Sequence, residues 1–263
     1  MPRRSGMSPP AALLAILLSG TLAGAEPIAP ADRRSGFDQM SPAIQAMQRD
    51  DEANPGLLAV ADGAELWTAR PPSGRPACSG CHGEAASSLR GVAARYPAWD
   101  ARTERPIDLQ DRVNACRREH QGVEPLAYES PDLLALTAFV AVQSRGLPIA
   151  PPDDDRLTPA RRQGRALFEA RQGQLGLSCA ICHDDHWGRR LGAAVIPQGQ
   201  PTGYPLYRLE WQGLGSLQRR LRNCLTGMRA EPFAYGAPDF VALELYLATR
   251  AAPLPMETPA VRP

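Results

Sequence analysis

Two segments of the chain place apolar residues at helical spacing. The first begins with PDLLALTAFV at Pro131, the second begins with PDFVALELYL at Pro238, and the two lie 107 residues apart. Residues three to four positions apart share one face of a helix, so each segment is predicted as a helix with an apolar face. The apolar positions are Leu134, Leu136, Phe139 and Val140 in the first segment, and Val241, Leu243, Leu245 and Tyr246 in the second.

The same order of landmarks occurs twice along the chain. Each half has a predicted helix, GAELWTA from Gly63 or GRALFEA from Gly164, and a CxxCH motif that begins 15 residues after that glycine. A further cysteine, Cys116 or Cys224, and then a Glu-Pro pair precede each closing helix. Such ordered repetition indicates two related units. Because sustained two-residue alternation is rare, the expected fold class is all-α with irregular loops.

Proline-rich and polar stretches divide the chain into segments. Residues 26–55 are predicted as an N-terminal arm, in which Ser41 caps a short helix that starts at Pro42. The segment GLPIAPPDDDRLTPA carries four prolines and three aspartates, which is typical of an extended linker. We therefore expect a first domain over residues 56–147, a linker over 148–160 and a second domain over 161–263.

The N-terminus resembles an export signal. Arg3 and Arg4 precede the apolar run AALLAILL, and the small residues AGA then offer a cleavage site near residue 25. The run is shorter than the roughly 20 apolar residues that a membrane-spanning helix needs. Residues 1–25 are therefore predicted as a signal peptide, and an exported periplasmic protein without a membrane span is expected.

Composition and charge exclude one broad class of function. The chain has 263 residues and a formal net charge of +1. Proteins that bind nucleic acid usually carry a basic excess, so no nucleic-acid partner is expected. The 27 prolines and the 6% of aromatic residues predict short helices joined by loops.

The two CxxCH motifs predict covalently attached haem c. In such a motif the two cysteines bond the haem edge, and the adjacent histidine becomes an axial ligand of the iron. A single copy is also compatible with a thiol redox motif or half of a zinc site, but two copies at matching places favour haem. The sequence thus predicts two cytochrome c-like domains with two haems, attached through Cys78 and Cys81 with His82, and through Cys179 and Cys182 with His183.

The second axial ligand of each iron is open to more than one interpretation. Methionine or histidine is usual at this position. The first domain has no methionine after its CxxCH motif, and its candidates are Cys116 and His120; the second offers Cys224 and Met228. Only the cysteine is common to both halves, whereas His120 and Met228 would give conventional ligands at one aligned position.

The cysteine pair itself allows three interpretations. A disulfide between Cys116 and Cys224 is the ordinary expectation for an exported protein. Two buried free thiols are a second possibility. Ligation of each iron by a thiolate explains why each domain carries one cysteine at the same place, and it would lower the reduction potential because an anionic sulfur stabilises Fe(III).

The segments RRLRNCLTGMRAEPFAYGAPDFVALELYLATR and NACRREHQG, taken with the two haem motifs, resemble the SoxA family. SoxA proteins are dihaem cytochrome subunits of the SoxAX complex of periplasmic thiosulfate oxidation. The resemblance covers nearly all of the chain after the signal peptide, and it is most specific over residues 220–250.

The resemblance implies an activity and partners. SoxA proteins pair with a small monohaem cytochrome, SoxX, and the complex acts as an L-cysteine S-thiosulfotransferase. It couples thiosulfate oxidatively to a cysteine of the carrier SoxYZ, and the electrons pass to a soluble cytochrome c. A plain dihaem electron carrier with His120 and Met228 as distal ligands is the alternative function.

The resemblance also implies residue roles. Cys224 corresponds to the family's active-site cysteine, an iron ligand carried as a persulfide, and Cys116 corresponds to the thiolate ligand of the first haem. Arg220 corresponds to the arginine that contacts the substrate. Residues four apart share a helix face, so Arg220 and Cys224 can line one pocket, and a guanidinium suits the sulfonate oxygens of a dianion. Arg219 and Arg222 are predicted as a solvated helix face.

Overall fold

The structure, a computed structural model, describes Met1 and residues 28–263, so the predicted signal peptide lies outside the described residues. The first half is predominantly helical, with one hairpin. Its helices and strands are α1 Pro42–Arg49, α2 Gly56–Thr68, α3 Cys78–His82, α4 Ala85–Ser88, β1 Ala98–Asp100, β2 Arg105–Ile107, α5 Leu109–Cys116 and α6 Pro131–Val142.

The second half repeats this order and adds three short strands. Its elements are α7 Thr158–Glu169, α8 Cys179–His183, β3 Arg190–Leu191, β4 Ala194–Val195, β5 Leu206–Arg208, β6 Gly213–Gly215, α9 Leu217–Gly227, α10 Pro238–Ala251 and β7 Val261–Arg262. The expectation that the chain is predominantly helical is confirmed. The strands were not expected, because none exceeds three residues and so none leaves a pattern of alternation.

One pair of helices forms the centre of each half, α2 with α6 and α7 with α10. Each pair crosses at a glycine: a Cβ on Gly63 would lie 2.2 Å from the carbonyl oxygen of Ala135, and a Cβ on Gly164 would lie 2.0 Å from that of Ala242. The absence of a side chain therefore lets the two backbones touch. The helices begin seven and six residues before these glycines, earlier than the predicted segments.

The helix starts follow from local capping. The hydroxyl of Ser41 accepts from the Ile44 amide at 3.4 Å, and Pro42 is the first helical residue of α1, as predicted. Pro131 and Pro238 likewise stand at the first positions of α6 and α10, where the missing N–H costs no hydrogen bond. Both predicted closing helices are confirmed by these bounds.

Two hairpins occupy equivalent places in the halves. β1 and β2 pair antiparallel, as do β5 and β6, and β7 adds a parallel strand beside β5. Each hairpin turns through a residue with positive φ, Glu104 at 51° and Gln212 at 49°. Each leads directly into a helix capped by a side chain, that of Asp108 for α5 and that of Ser216 for α9.

The C-terminal segment joins the halves. It returns to the first half, where the Gly146 amide donates to the Met256 carbonyl at 2.8 Å and the Ile149 amide donates to the Leu254 carbonyl at 2.9 Å. The arm before α2 also contacts this segment, since Asn54 Nδ2 donates to the Pro259 carbonyl at 2.9 Å. The two halves are therefore packed on each other through chain ends as well as through side chains.

A buried polar network crosses the interface between the halves. Asp108 is 3% exposed and accepts from the Asp111 amide at 2.7 Å, from the Tyr128 hydroxyl at 3.1 Å and from Gln218 Nε2 at 2.8 Å. Burial raises the pKa of the Asp108 carboxyl to about 6, and it also raises the pKa of the neighbouring Glu244. Both carboxyls line a small cavity between the halves.

Within the described part of the chain, no helix combines the length and the apolar character that crossing a bilayer requires.

Gly164→Ala tests the close helix crossing. The added Cβ would overlap the Ala242 carbonyl, so α7 and α10 must separate, and we expect the free energy of unfolding to fall by about 2 kcal/mol or more. Gly227→Ala is the control, because its Cβ would have no neighbour within 4 Å and alanine favours a helix. Urea unfolding of both variants measures the effect; equal stabilities would contradict the crossing.

Asp108→Asn tests the buried carboxyl. The pKa of Asp108 is about 6 in the folded state and about 4 in the unfolded chain. The protonated carboxyl therefore stabilises the folded state at low pH, and this stabilisation is lost as the pH rises from about 4 through about 6. The wild type should therefore lose about 2 kcal/mol of unfolding free energy relative to the variant between pH 4 and pH 7. Urea unfolding at several pH values measures the difference, and parallel pH profiles would contradict it.

Candidate functional site

Each CxxCH motif forms a single helical turn beside the central helix pair of its half. Cys78 packs against the cluster around Trp67 and Val140, and Cys179 packs against the cluster of Phe168, Leu243 and Leu247. No disulfide joins any of the six cysteines. The attachment cysteines therefore border apolar surface, as a haem edge requires.

The ring of His183 is held in a fixed orientation. Its Nδ1 lies 2.7 Å from the carbonyl oxygen of Pro197, which can only accept, so Nδ1 carries the proton and Nε2 keeps its lone pair. Gly199 packs on the ring, where an added Cβ would lie 3.0 Å from its atoms. This is the arrangement that an imidazole needs in order to bind a metal through Nε2.

A buried ion pair supports the same loop. Arg250 Nη2 lies 2.8 Å from Asp184 Oδ1, and both side chains are less than a tenth exposed. Arg250 also donates to the Gln198 carbonyl at 3.2 Å and stacks on Phe168 at 4.5 Å. The residues that flank Pro197 and His183 are thereby tied to α10.

The first half holds its histidine differently. His82 is exposed and stacks on Trp67 with ring centroids 5.4 Å apart. Among residues 28–263 no hydrogen bond from the His82 ring is found. The two equivalent histidines thus differ in how firmly the protein orients them.

Cys224 lies on α9 opposite His183. Burial raises the pKa of the Cys224 thiol, but the hydrogen bond to His183 and the charge of Arg220 outweigh it, so the net pKa is lowered. Arg220 stands one helical turn before Cys224, as the sequence predicted. The structure thus brings together three predicted site residues, with the His183 ring within hydrogen-bonding reach of the Cys224 sulfur.

Cys116 occupies the equivalent place at the end of α5. Its thiol lies in the electrostatic field of Cys81, and Cys78 in that of Cys116, so it faces the CxxCH turn of its own half. Burial raises the pKa of Cys116. Cys116 and Cys224 belong to separate sites and form no disulfide with each other.

The conventional ligand candidates lie elsewhere. The His120 side chain is 68% exposed on a π-helical turn, 4.0 Å from Glu119. Met228 is 8% exposed and packs in an apolar cluster with Leu225 and Phe240. Neither environment resembles a ligand position as closely as that of the cysteine in the same half.

Two more side chains lie near Arg220 and Cys224. Tyr204 is half-buried, and desolvation raises the pKa of its hydroxyl to about 12. Burial, and then the charge of Arg220, lower the pKa of Arg208. Arg208 was not singled out from the sequence, although aligning the halves on Cys116 and Cys224 pairs it with Asp100 and would have drawn attention to it.

The other arginines of the segment have structural partners. Arg219 stacks on Trp211 at 4.3 Å and lies 4.0 Å from Glu129. Arg222 donates to the Phe233 carbonyl and stacks on Tyr235 at 4.7 Å. They are half-buried packing residues rather than the fully solvated face that was predicted.

Each half also has an unpaired guanidinium nitrogen near its attachment cysteines. The Nε atoms of Arg117 and Arg250 are buried and have no hydrogen-bond partner within the described chain. Their charges act on the attachment cysteines Cys78 and Cys179 respectively. Buried N–H groups of this kind fit the propionate of a haem, so the donor set and its surroundings fit haem c.

The chain is similar to a family of known proteins over most of its length. The family model "SoxA/TsdA, cytochrome c domain" matches residues 62–149 and 163–256. The L-cysteine S-thiosulfotransferase subunit SoxA of Pseudaminobacter salicylatoxidans is 39% identical over 216 residues, covering 82% of this chain and 76% of that protein. The same subunit of Rhodovulum sulfidophilum is 35% identical and covers 87% of this chain and 80% of its own length.

A solved crystal structure has a fold similar to that of this chain. The crystal structure of SoxXA from P. pantotrophus superposes with a TM-score of 0.84 at 34% identity, covering 88% of this chain and 87% of that one. The predicted resemblance is confirmed: the chain is a cytochrome c that belongs to the SoxA family of L-cysteine S-thiosulfotransferase subunits.

Proposed function

We propose that this chain is the subunit of a periplasmic L-cysteine S-thiosulfotransferase that carries the active site. The observation that carries the proposal is the meeting of Cys224, His183 and Arg220 at one place in the second half. A plain electron carrier would not need an arginine beside a ligand sulfur, and the environments of His120 and Met228 do not favour them as distal ligands.

The reaction couples thiosulfate to a thiol of a carrier protein. A sulfur–sulfur bond forms between the carrier cysteine and the outer sulfur of thiosulfate, and the S–H bond of the carrier breaks. One proton leaves to water, and two electrons pass to oxidised cytochrome c acceptors. The product is a protein-bound S-thiosulfonate with one negative charge.

The residues of the second half have separate roles in this reaction. Arg220 binds the sulfonate oxygens, because its planar guanidinium can donate two parallel hydrogen bonds to them. Cys224, carried as a persulfide, presents its sulfur to the bound anion. The Pro197 carbonyl orients His183, and the Asp184–Arg250 pair holds that loop in place.

Two haem c groups are proposed, one in each half. Cys78 and Cys81 would attach the first, and His82 and Cys116 would bind its iron. Cys179 and Cys182 would attach the second, and His183 and Cys224 would bind its iron. The groups supply one-electron redox chemistry when bound, and an anionic sulfur ligand lowers the reduction potential.

The partners follow from the family. The solved relative is a SoxXA assembly, and we infer a SoxX-like monohaem cytochrome as partner of this chain. A SoxYZ-type carrier supplies the acceptor cysteine, and a soluble cytochrome c takes the electrons. The domain boundaries at residues 56–147 and 161–263, and export by residues 1–25, complete the proposal.

Intact-mass measurement tests the haem number. The exported protein should carry the mass of two haem groups, and a Cys179→Ser/Cys182→Ser variant should carry one. A peptide containing Cys224 should be heavier by one sulfur atom than its sequence requires. One haem in the wild type would contradict the two-haem proposal, and an unmodified Cys224 peptide would contradict the persulfide.

Cys224→Ala tests the active site. Thiosulfate-dependent reduction of cytochrome c should fall by at least about 100-fold, the scale of losing one group that stabilises the transition state. Both haems should stay attached, because Cys179 and Cys182 are unchanged. Thr226→Ala, an exposed position on the same helix, should turn over normally. Unimpaired turnover by Cys224→Ala would refute the role.

A further inference from the structure

The surroundings of Cys116 in the first half and of Cys224 in the second half are built from equivalent elements. The hairpins β1–β2 and β5–β6 have the same register, with Asp100 opposite Arg105 and Arg208 opposite Gly213. The helices that follow carry Arg112 and Arg220, each four residues before the distal cysteine. Asp100 and Arg208 thus hold the same place in the two halves, 108 residues apart, and so do the two arginines.

In the first half the arginine is neutralised by the hairpin. Arg112 Nη2 lies 2.6 Å from Asp100 Oδ1, and its Nε donates to the Tyr96 hydroxyl at 3.2 Å. The hydrogen bonds from Thr103, together with Arg112, lower the pKa of the Asp100 carboxyl to about 2. The Asp100 carboxylate therefore stays charged. Its ion pair with Arg112 uses the guanidinium that would otherwise be available to bind an anion.

In the second half the same position carries a positive charge. Arg208 holds the register position from which Asp100 reaches Arg112 in the first half, and the charges of Arg220 and Cys224 act on it. Its Nε donates to the Pro263 carbonyl at 2.8 Å, and its Nη2 lies 3.1 Å from Glu210, a side chain that is 62% exposed. The Arg220 guanidinium has no hydrogen bond or ion pair within residues 28–263.

Arg220 has no carboxylate partner within residues 28–263, and Arg208 has only the exposed Glu210, so the two cations together form a site for an anion. The Arg208 side chain is only 15% exposed, so solvent screens its repulsion of Arg220 incompletely. An oxyanion with two negative charges can accept hydrogen bonds from both guanidinium groups, and its charge offsets their mutual repulsion. Thiosulfate meets that description, whereas in the first half the equivalent arginine, Arg112, is already paired with Asp100.

We propose that Arg208 is the second substrate-binding cation and that the difference between Asp100 and Arg208 restricts thiosulfate to the second half. This inference rests on the proposed function. Arg208 sets the affinity for the sulfonate group together with Arg220, and it takes no part in bond formation.

Arg208→Gln in the assembled, haem-loaded complex tests the proposal. KM for thiosulfate should rise about 10- to 100-fold, the effect of losing charge-assisted hydrogen bonds, while kcat changes little. Calorimetric binding of thiosulfate without the carrier should weaken by the same factor. Arg208→Asp, which imitates the first half, should bind thiosulfate more weakly still.

Arg165→Gln is the matched control, because this arginine of the second half is 58% exposed and pairs with Glu169 on α7. Its KM should equal that of the wild type. An unchanged KM in Arg208→Gln, with normal wild-type turnover, would overturn the inference and leave the proposed function intact. Absence of thiosulfate turnover in the wild type would instead refute the proposed function.

A second measurement uses the wild type and does not depend on how the variants fold. Phenylglyoxal modifies accessible arginines, and thiosulfate should protect the peptides that contain Arg208 and Arg220 but not the one that contains Arg112. Modification of Arg208 at the same rate with and without thiosulfate would also overturn the inference.

Discussion

The close crossing of two helices at a glycine is the constraint on which both halves depend. Gly63 and Gly164 bring their helices against the carbonyls of Ala135 and Ala242 at a distance that no side chain allows. In each half, the CxxCH turn follows the first helix of the pair along the chain. The helix that carries Cys116 or Cys224, α5 or α9, comes directly before the second helix of the pair. This backbone contact therefore limits how far apart the elements that carry the proximal histidine and the distal cysteine can lie.

The same scaffold carries two sites that differ in charge and in rigidity. In the second half, the Pro197 carbonyl and the Asp184–Arg250 pair orient His183, and the thiol of Cys224 has a lowered pKa. In the first half, His82 is exposed and burial raises the pKa of Cys116. The repeat thus preserves the positions of the ligands while the surrounding residues make one site firmer and more electropositive than the other.

Much of the fold was accessible from the sequence because helices and haem motifs leave local signals. The apolar periodicity after Pro131 and Pro238, the proline at each helix start and the two CxxCH motifs predicted the right elements. The hairpins were missed because three-residue strands show no period. The contact of the C-terminal segment with the arm, through Asn54 and Pro259, depends on pairing between residues about 200 positions apart, which no local pattern encodes.

The site was predicted in part for the same reason. Arg220 and Cys224 were placed together because four residues on a helix return to the same face. Arg208 was not, since its position beside Arg220 depends on the register of a hairpin. When the halves are aligned, residue 208 is an arginine where the first half has the aspartate Asp100. Two arginines, Arg208 and Arg220, then lie close together without a shared carboxylate, and such unfavourable arrangements are expected at functional sites.

This conflict also explains how one of two similar halves can acquire an activity. The first half pairs its half-buried guanidinium internally, so Arg112 stabilises the fold through Asp100 and Tyr96. The second half leaves that stabilisation to be supplied by a ligand, because a positive charge replaces the carboxylate at the same register. A single position in a hairpin is enough to turn a structural ion pair into an anion-binding site, and the helix crossing, the capped helix and the facing cysteine need no change.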